Sequence, residues 1–284
     1  MFKKYYALVK PGIVYGNAFT TFAAFLFASR WHFAPFLLIA TLLGISFVIA
    51  SACVFNNFLD RDIDRKMART KDRALASGAI PVWSALLYGT VLGICGLVLL
   101  HFYVNNLTAL IAFLGFVFYV IIYGWAKRAS HWGTVVGSIS GSVPIVVGYT
   151  AVTDKLDMTA LILFLILALW QMPHFYAIAI YRFDEYAAAG IPVLPIKKGM
   201  RKTKIYIVSY ILAFVFVAPL LTLFGHAGHS YLAAVVLFGL VWLWRGLLGF
   251  RADDNARWAR KLFFVSLIVL VAFSVALSLA TVLP

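Results

Sequence analysis

The chain predicts an all-α, polytopic integral membrane protein with nine transmembrane helices, and three observations lead there. Hydrophobic residues fill 64% of its 284 positions and charged residues 12%, against roughly 25% charged in an ordinary soluble domain. Apolar runs of about 20 residues, the length a helix needs to cross a ~30 Å hydrocarbon layer, recur nine times along it. With the N-terminus inside, 22 of the 24 Lys and Arg residues fall on the inner side, leaving Arg30 and Lys155 outside. That split is what the positive-inside rule demands.

The first span, about 14–34, follows MFKKYYALVKPG. Two early lysines and no small-residue cleavage site after the apolar run mark a retained inner end rather than a signal peptide. The second span, 37–57, ends in a cluster of charges that opens an inner loop over 58–83. Spans three and four, 84–104 and 107–126, return the chain to Lys127 and Arg128 inside. Spans five and six, 132–152 and 159–180, turn outside at Lys155 and lead into a second long inner loop over 181–204. Spans seven and eight, 205–225 and 229–249, come back to the basic stretch Arg245 to Lys261. Span nine, 262–282, leaves the C-terminus outside. The whole, 1–284, reads as a single transmembrane domain. The two inner loops close alike, with Ala76-Ser77-Gly78-Ala79-Ile80-Pro81-Val82 and Ala188-Ala189-Gly190-Ile191-Pro192-Val193, a hint of duplicated four-helix halves with a site between them.

The net charge of +14 is thus a topology signal, and the partner it implies is a lipid bilayer, with no nucleic acid needed. Cys53 and Cys95 both fall inside spans and read as free thiols, since nothing suggests a disulfide framework. No C-x-x-C, Walker A or Rossmann glycine pattern is present.

Ten carboxylates occur in the whole chain, and four stand within thirteen residues, Asp60 to Asp72, beside six cations. Asn56, Asp60 and Asp64 are spaced i, i+4, i+8, so a helix continuing through them presents all three on one face. Asp62 points elsewhere. Acids gathered at a membrane boundary repel one another unless a cation joins them, and Mg2+ is the natural one, because it takes one or two carboxylates together with phosphate oxygens. A merely solvated helix end explains the arginines but not Asn56 and Asn57, which are polar in what should be the last turn of a span.

The pattern Asn56-Asn57-x-x-Asp60-x-x-x-Asp64, followed by Arg69-Thr70-Lys71-Asp72-Arg73, resembles the first aspartate-rich motif of the UbiA-type intramembrane prenyltransferases. Trp170-Gln171-Met172-Pro173-His174-Phe175-Tyr176, with Asp184-Glu185-Tyr186 running on to Gly190-Ile191-Pro192-Val193-Leu194-Pro195, is similar to the signature of the haem-farnesylating members of that family. The likeness spans nearly the whole chain. It implies a UbiA-type bundle in a bacterial cytoplasmic (inner) membrane, with farnesyl diphosphate and haem b as substrates, haem O as product and Mg2+ as cofactor. It also implies that Asn56, Asn57, Asp60 and Asp64 are catalytic and that Asp60 and Asp64 hold the metal. Arg69, Arg73, Lys127, Arg128, Lys197 and Lys198 become candidate diphosphate contacts. Tyr119 and Tyr123 share the i, i+4, i+8 spacing with Lys127, and this segment resembles one that touches diphosphate in the wider family.

The second loop departs from the general family pattern. Aligned on Gly190, Arg182 and Tyr186 stand where quinone-type relatives carry two aspartates, so metal binding there falls to Asp184 and Glu185, with Arg182 and Tyr186 turned to substrate. His174 follows a helix-breaking proline in an apolar span, where a cavity is commonly lined. With Gln171 it becomes a candidate for the haem or another substrate group, including iron ligation. Two competing readings are a prenyltransferase acting on an aromatic quinone precursor and an ion-coupled transporter with a site at the repeat interface. Acids at the inner boundary, rather than mid-span, speak against the transporter.

Overall fold

The computed structural model describes residues 2–283. Among these, nine helices are long and apolar enough to cross a membrane. They are α1 (Pro11–Ser29), α2 (Pro35–Asp64), α3 (Val82–Tyr103), α4 (Asn106–Ala129), α5 (Gly133–Thr153), α6 (Met158–Tyr181), α7 (Met200–Leu223), α8 (His229–Arg251) and α9 (Asn255–Leu279). Every span expected from the sequence is present. The protein is a multi-pass membrane protein of all-helical fold.

Local chemistry sets the boundaries. Pro11 and Pro35 open α1 and α2, where the missing N–H costs nothing. Asn105 and Asp157 cap α4 and α6, accepting from the Thr108 and Ala160 amides at 2.7 and 3.0 Å, and Asp254 caps α9 in the same way. α2 runs 30 residues, about 45 Å at 1.5 Å per residue, so its charged end projects past a ~30 Å hydrocarbon layer. α4 carries a π-helical turn over Phe118–Tyr123, and α5 breaks at Ser142, just before Pro144.

Small residues let the helices close up, as they do where lipid leaves no hydrophobic drive for helix association. α2 and α3 meet at Gly44 and Gly96, where a Cβ on Gly96 would lie 2.7 Å from the Gly44 carbonyl oxygen. α1 and α5 meet at Gly148, where a Cβ would fall 2.2 Å from the Thr21 carbonyl oxygen, and Thr21 Oγ1 donates to the Pro144 carbonyl at 2.8 Å. α9 packs on both α6 and α1 and closes the bundle. The main core draws on all nine of these helices, with Phe214, Tyr231 and Trp242 fully buried. A smaller one joins the N-terminal helix Phe2–Leu8 to α2 and α3 through Leu8, Val54, Leu75 and Ile80. Large apolar side chains such as Trp83, Phe102 and Phe216 face outward, as lipid contact requires.

The two inner loops share a backbone device. Gly78 and Gly190 take φ of +75° and +69°, a conformation that side chains disfavour. Each turn is then closed by an isoleucine amide, Ile80 to the Ala74 carbonyl at 3.2 Å and Ile191 to the Tyr186 carbonyl at 3.0 Å. The repeated sequence phrase is therefore a repeated turn, after which a proline leads into the next segment.

Candidate active site

A cavity of about 660 Å³ opens among α1, α2, α4, α5, α6 and α9, a size typical of ligand pockets. One end is charged. Five cationic side chains line it, Lys10, Arg69, Arg73, Lys127 and Arg182, with two carboxylates, Asp60 and Asp64. Farther in the wall is apolar and aromatic, with Ile45, Val48, Phe116, Leu167, Trp170, Phe175 and Phe263.

α2 stays helical through Asp64, so Asn56, Asp60 and Asp64 form one stripe on the cavity wall. All three are buried, Asp64 to 3% exposure and Asp60 to 9%. Asp62 is turned out against Arg61 and Arg65. Each buried acid has its own cation. Arg73 Nη1 donates to both oxygens of Asp64, at 3.0 and 2.9 Å. Lys127 Nζ donates to Asp60 Oδ2. Lys127 is held over the Tyr123 ring, 5.2 Å from its centroid, and Gly133 lets its backbone come close, since a Cβ there would lie 2.6 Å from Lys127 Cα. The π-helical turn carries Tyr119 and Tyr123, stacked at 5.4 Å, onto the same wall, and such turns recur at functional sites.

Lys10, by sequence simply one of the inner charges, lines the cavity and donates to Asn56 Oδ1 at 2.6 Å. It stands just before α1 with φ of +50°, strained for a side-chain-bearing residue, as functional positions often are. Desolvation by burial pushes its pKa down to about 8, with Arg73 and Lys127 adding to the fall and Cys53 and Asp60 opposing it. Its signal in the sequence was faint, a lysine immediately before Pro-Gly at the start of a span. Burial also lifts the Tyr186 hydroxyl above the ordinary phenol range, against the pull of Arg69 and Arg182.

Arg69, Arg73, Gln171, His174, Arg182 and Tyr186 are brought to the cavity as the sequence suggested. Gln171 is also a structural tie, donating from Nε2 to Ser142 Oγ at 3.1 Å and to the Ser138 carbonyl at 3.3 Å. Other candidates lie off the cavity wall. Asn57 points away from Asn56, as neighbours on a helix must, and donates to the Leu8 carbonyl at 2.8 Å, fastening the N-terminal helix. Arg128 is partly exposed behind Asp60, reaching the Leu59 carbonyl and, at 3.5 Å, Asp60 Oδ1. Lys197 and Lys198 end a short helix, Leu194–Lys198, that buries Leu194 and Pro195 and turns both amines to solvent. Asp184 is exposed, and Glu185 is occupied by Arg182 at 3.0 Å and Arg69 at 3.4 Å. Sequence reasoning missed Ser266 of α9, fully buried, whose Oγ meets His174 Nδ1 at 2.8 Å and whose carbonyl accepts from Trp170 Nε1 at 2.8 Å.

Among the described residues no group of three or more His, Cys, Asp or Glu comes together as a metal cage. Two buried acids beside the Asn56 amide are a different donor set. The two carboxylates suit a hard cation that completes its shell with phosphate oxygens, and Asn56 Nδ2, a buried N–H donor with no partner among the described residues, is free for such an oxygen rather than for the metal.

A helical membrane bundle whose apolar cavity is headed by paired acids and surplus cations is built to take a molecule with a long apolar tail and an anionic head. Residues 17–268 match the UbiA prenyltransferase family. The chain is 48% identical to Protoheme IX farnesyltransferase 2 of Pseudomonas fluorescens (strain Pf0-1), over 99% of this chain and 96% of that one. It is 49% identical to the Protoheme IX farnesyltransferase of Yersinia pseudotuberculosis serotype O:1b, over 98% and 95%. A solved structure concerning digeranylgeranylglyceryl phosphate synthase superposes with a TM-score of 0.82 at 21% identity, covering 99% of this chain and 98% of that one. A UbiA homologue from Archaeoglobus fulgidus bound to GPP and Mg2+ superposes with a TM-score of 0.70 at 16% identity, covering 97% and 99%. The chain belongs to the UbiA prenyltransferase family, and it is a transferase.

Proposed function

We propose that this protein transfers the farnesyl group of farnesyl diphosphate to a vinyl group of haem b, with addition of water, giving haem O and diphosphate. The observation that carries the reading is the joining of Asp60, Asp64 and five cations to a deep aromatic cavity within one wall, in a chain whose relatives at near 50% identity bear that activity in their names.

Breaking the allylic C–O bond leaves a farnesyl cation and a diphosphate anion. Asp60 and Asp64 would hold Mg2+, which when bound neutralises charge on the leaving diphosphate. Lys10, Arg73 and Lys127 donate to the phosphate oxygens, and Arg69 and Arg182 extend the same positive rim. Because Arg73 and Lys127 are already paired with Asp64 and Asp60, both are poised beside the position the anion takes. Tyr119, Tyr123, Trp170 and Phe263 line the cavity that receives the cation, and aromatic walls are a stabilising environment for positive charge. The electrons of the haem vinyl group form the new C–C bond. The carbocation this creates beside the porphyrin ring captures water, which loses one proton to become the hydroxyl of haem O.

We place the protein, as one domain over 1–284, in a bacterial cytoplasmic membrane with its N-terminus and charged cavity mouth inside and its C-terminus outside. The test is purified protein in lipid vesicles with farnesyl diphosphate, Mg2+ and either haem b or a hydroxybenzoate. Mass spectrometry of the extract should show a farnesylated, hydrated haem and no prenylated benzoate. EDTA should stop the reaction, and added Mg2+ should restore it. Prenylation of the benzoate alone would transfer the protein to the quinone branch.

A further inference from the structure

The charged mouth leaves one built feature of the cavity unused, the imidazole of His174. The ring is clamped between Trp170 and Phe263, each with its centroid 4.8 Å away, and Phe175 meets it edge-on at 5.3 Å. The hydrogen bonds fix its proton. Ser266 Oγ donates its single proton to the Phe263 carbonyl at 2.6 Å. The same oxygen therefore meets His174 Nδ1, at 2.8 Å, as an acceptor, and Nδ1 carries the ring hydrogen. Nε2 is left with its lone pair and makes no hydrogen bond among the described residues. It is not among the sealed, unpartnered polar atoms, and its residue lines the cavity, so the lone pair opens into the substrate space.

We propose that His174 Nε2 is the axial ligand of the haem iron while the porphyrin is held for prenylation, an assignment that rests on the haem-farnesylating function proposed above. A neutral imidazole with its far nitrogen bonded to a second residue is the arrangement of iron- and zinc-bound histidines. The outer hydrogen bond fixes both tautomer and ring orientation. The site is poor for the rival role of proton acceptor. The groups packed on the ring are Trp170, Phe175, Phe263 and the Ser266 hydroxyl, and none is an anion that would hold an imidazolium. Iron asks for no such partner. Rigidity is built in as well: one serine of α9 fixes Trp170 through its carbonyl and His174 through its hydroxyl. Arg182 follows eight residues later, about 12 Å along the helix at 1.5 Å per residue, so iron at His174 sits below the charged mouth and leaves it to the diphosphate.

The experiment is resonance Raman spectroscopy of the purified protein in lipid nanodiscs loaded with ferrous haem b. Wild type should give an iron–imidazole stretch that shifts when histidine is labelled with 15N. His174→Gly should lose the band, bind haem at least tenfold more weakly, and regain the band when imidazole is added. His174→Gln, which keeps a polar side chain of similar length, should melt near the wild-type temperature and still lack the band. Ser266→Ala should keep the band at a lower frequency, because the ligand loses the hydrogen bond that strengthens its basicity. A wild-type spectrum without the 15N shift, or a band that survives in both His174 variants, overturns the ligand assignment. Haem O formation by wild type is scored separately. If it proceeds while the band survives in the variants, only the iron ligand is wrong; if it never occurs, the farnesylation reading has failed.

Discussion

Replacing Lys10 by Met tests the charged mouth through its most strained member. The Lys10 ammonium is desolvated in the folded protein, where its pKa is about 8 against 10.5 for an ordinary lysine. Those 2.5 units correspond to about 3 kcal/mol at 1.36 kcal/mol per unit. The sign follows from proton counts. Between pH 8 and 10.5 the unfolded chain binds more protons than the folded one, so stability rises with pH across that window. Below pH 8 both states are protonated and the full penalty of about 3 kcal/mol stands. An arriving diphosphate supplies the missing counter-charge, so its affinity is greatest below pH 8 and falls as the proton leaves. Two assays read this: melting temperature in detergent, and titration of inorganic pyrophosphate with Mg2+, each from pH 7 to 10. Wild type should gain stability and lose pyrophosphate affinity above pH 8. Lys10→Met should show neither contribution and should bind pyrophosphate weakly throughout. Lost contact with Asn56 shifts the variant's stability equally at every pH, so the comparison of slopes is unaffected by it. Identical slopes in the two proteins would refute the placement of a buried cation at this point.

Two further substitutions separate structure from chemistry. Asn57→Ala removes the bond to the Leu8 carbonyl and should cost about 1–3 kcal/mol, lowering the melting temperature while the rate per folded molecule stays near wild type; a collapsed rate in folded protein would mean that Asn57 acts in catalysis. Gly141→Ala would put a Cβ 1.9 Å from Gln171 Oε1, driving that side chain off Ser138 and Ser142 at a cost of about 1–3 kcal/mol. Scanning fluorimetry should show the loss, and an unchanged midpoint would mean that Gln171 has room to move.

How much of this was legible beforehand follows from the range of each interaction. The spans were readable because hydropathy and the inside–outside split of Lys and Arg are properties of the chain alone. Asn56, Asp60 and Asp64 were readable because helical spacing fixes a shared face once the helix continues, and the same periodicity turns Asn57 and Asp62 elsewhere. Partnerships across the bundle were not. Nothing near Ser266 in sequence points to His174, 92 residues away, and nothing local draws Lys10 into the cavity rather than leaving it at the membrane surface. Lys197 and Lys198 have the charge to bind phosphate, but their short helix buries Leu194 and Pro195, and that packing decides which way the amines face. Gly78 and Gly190 stand between these cases, since the repeated phrase was visible while its shared left-handed turn needed the backbone.

The most direct measurement is calorimetric titration of Mg2+ with inorganic pyrophosphate into wild type, Asp60→Asn and Asp64→Asn, each confirmed as folded by its melting curve. If the two acids hold the metal that receives the diphosphate, each amide should weaken binding by about tenfold or more, since a carboxylate is the charge Mg2+ seeks in such sites. Equal affinity in all three proteins would contradict the assignment.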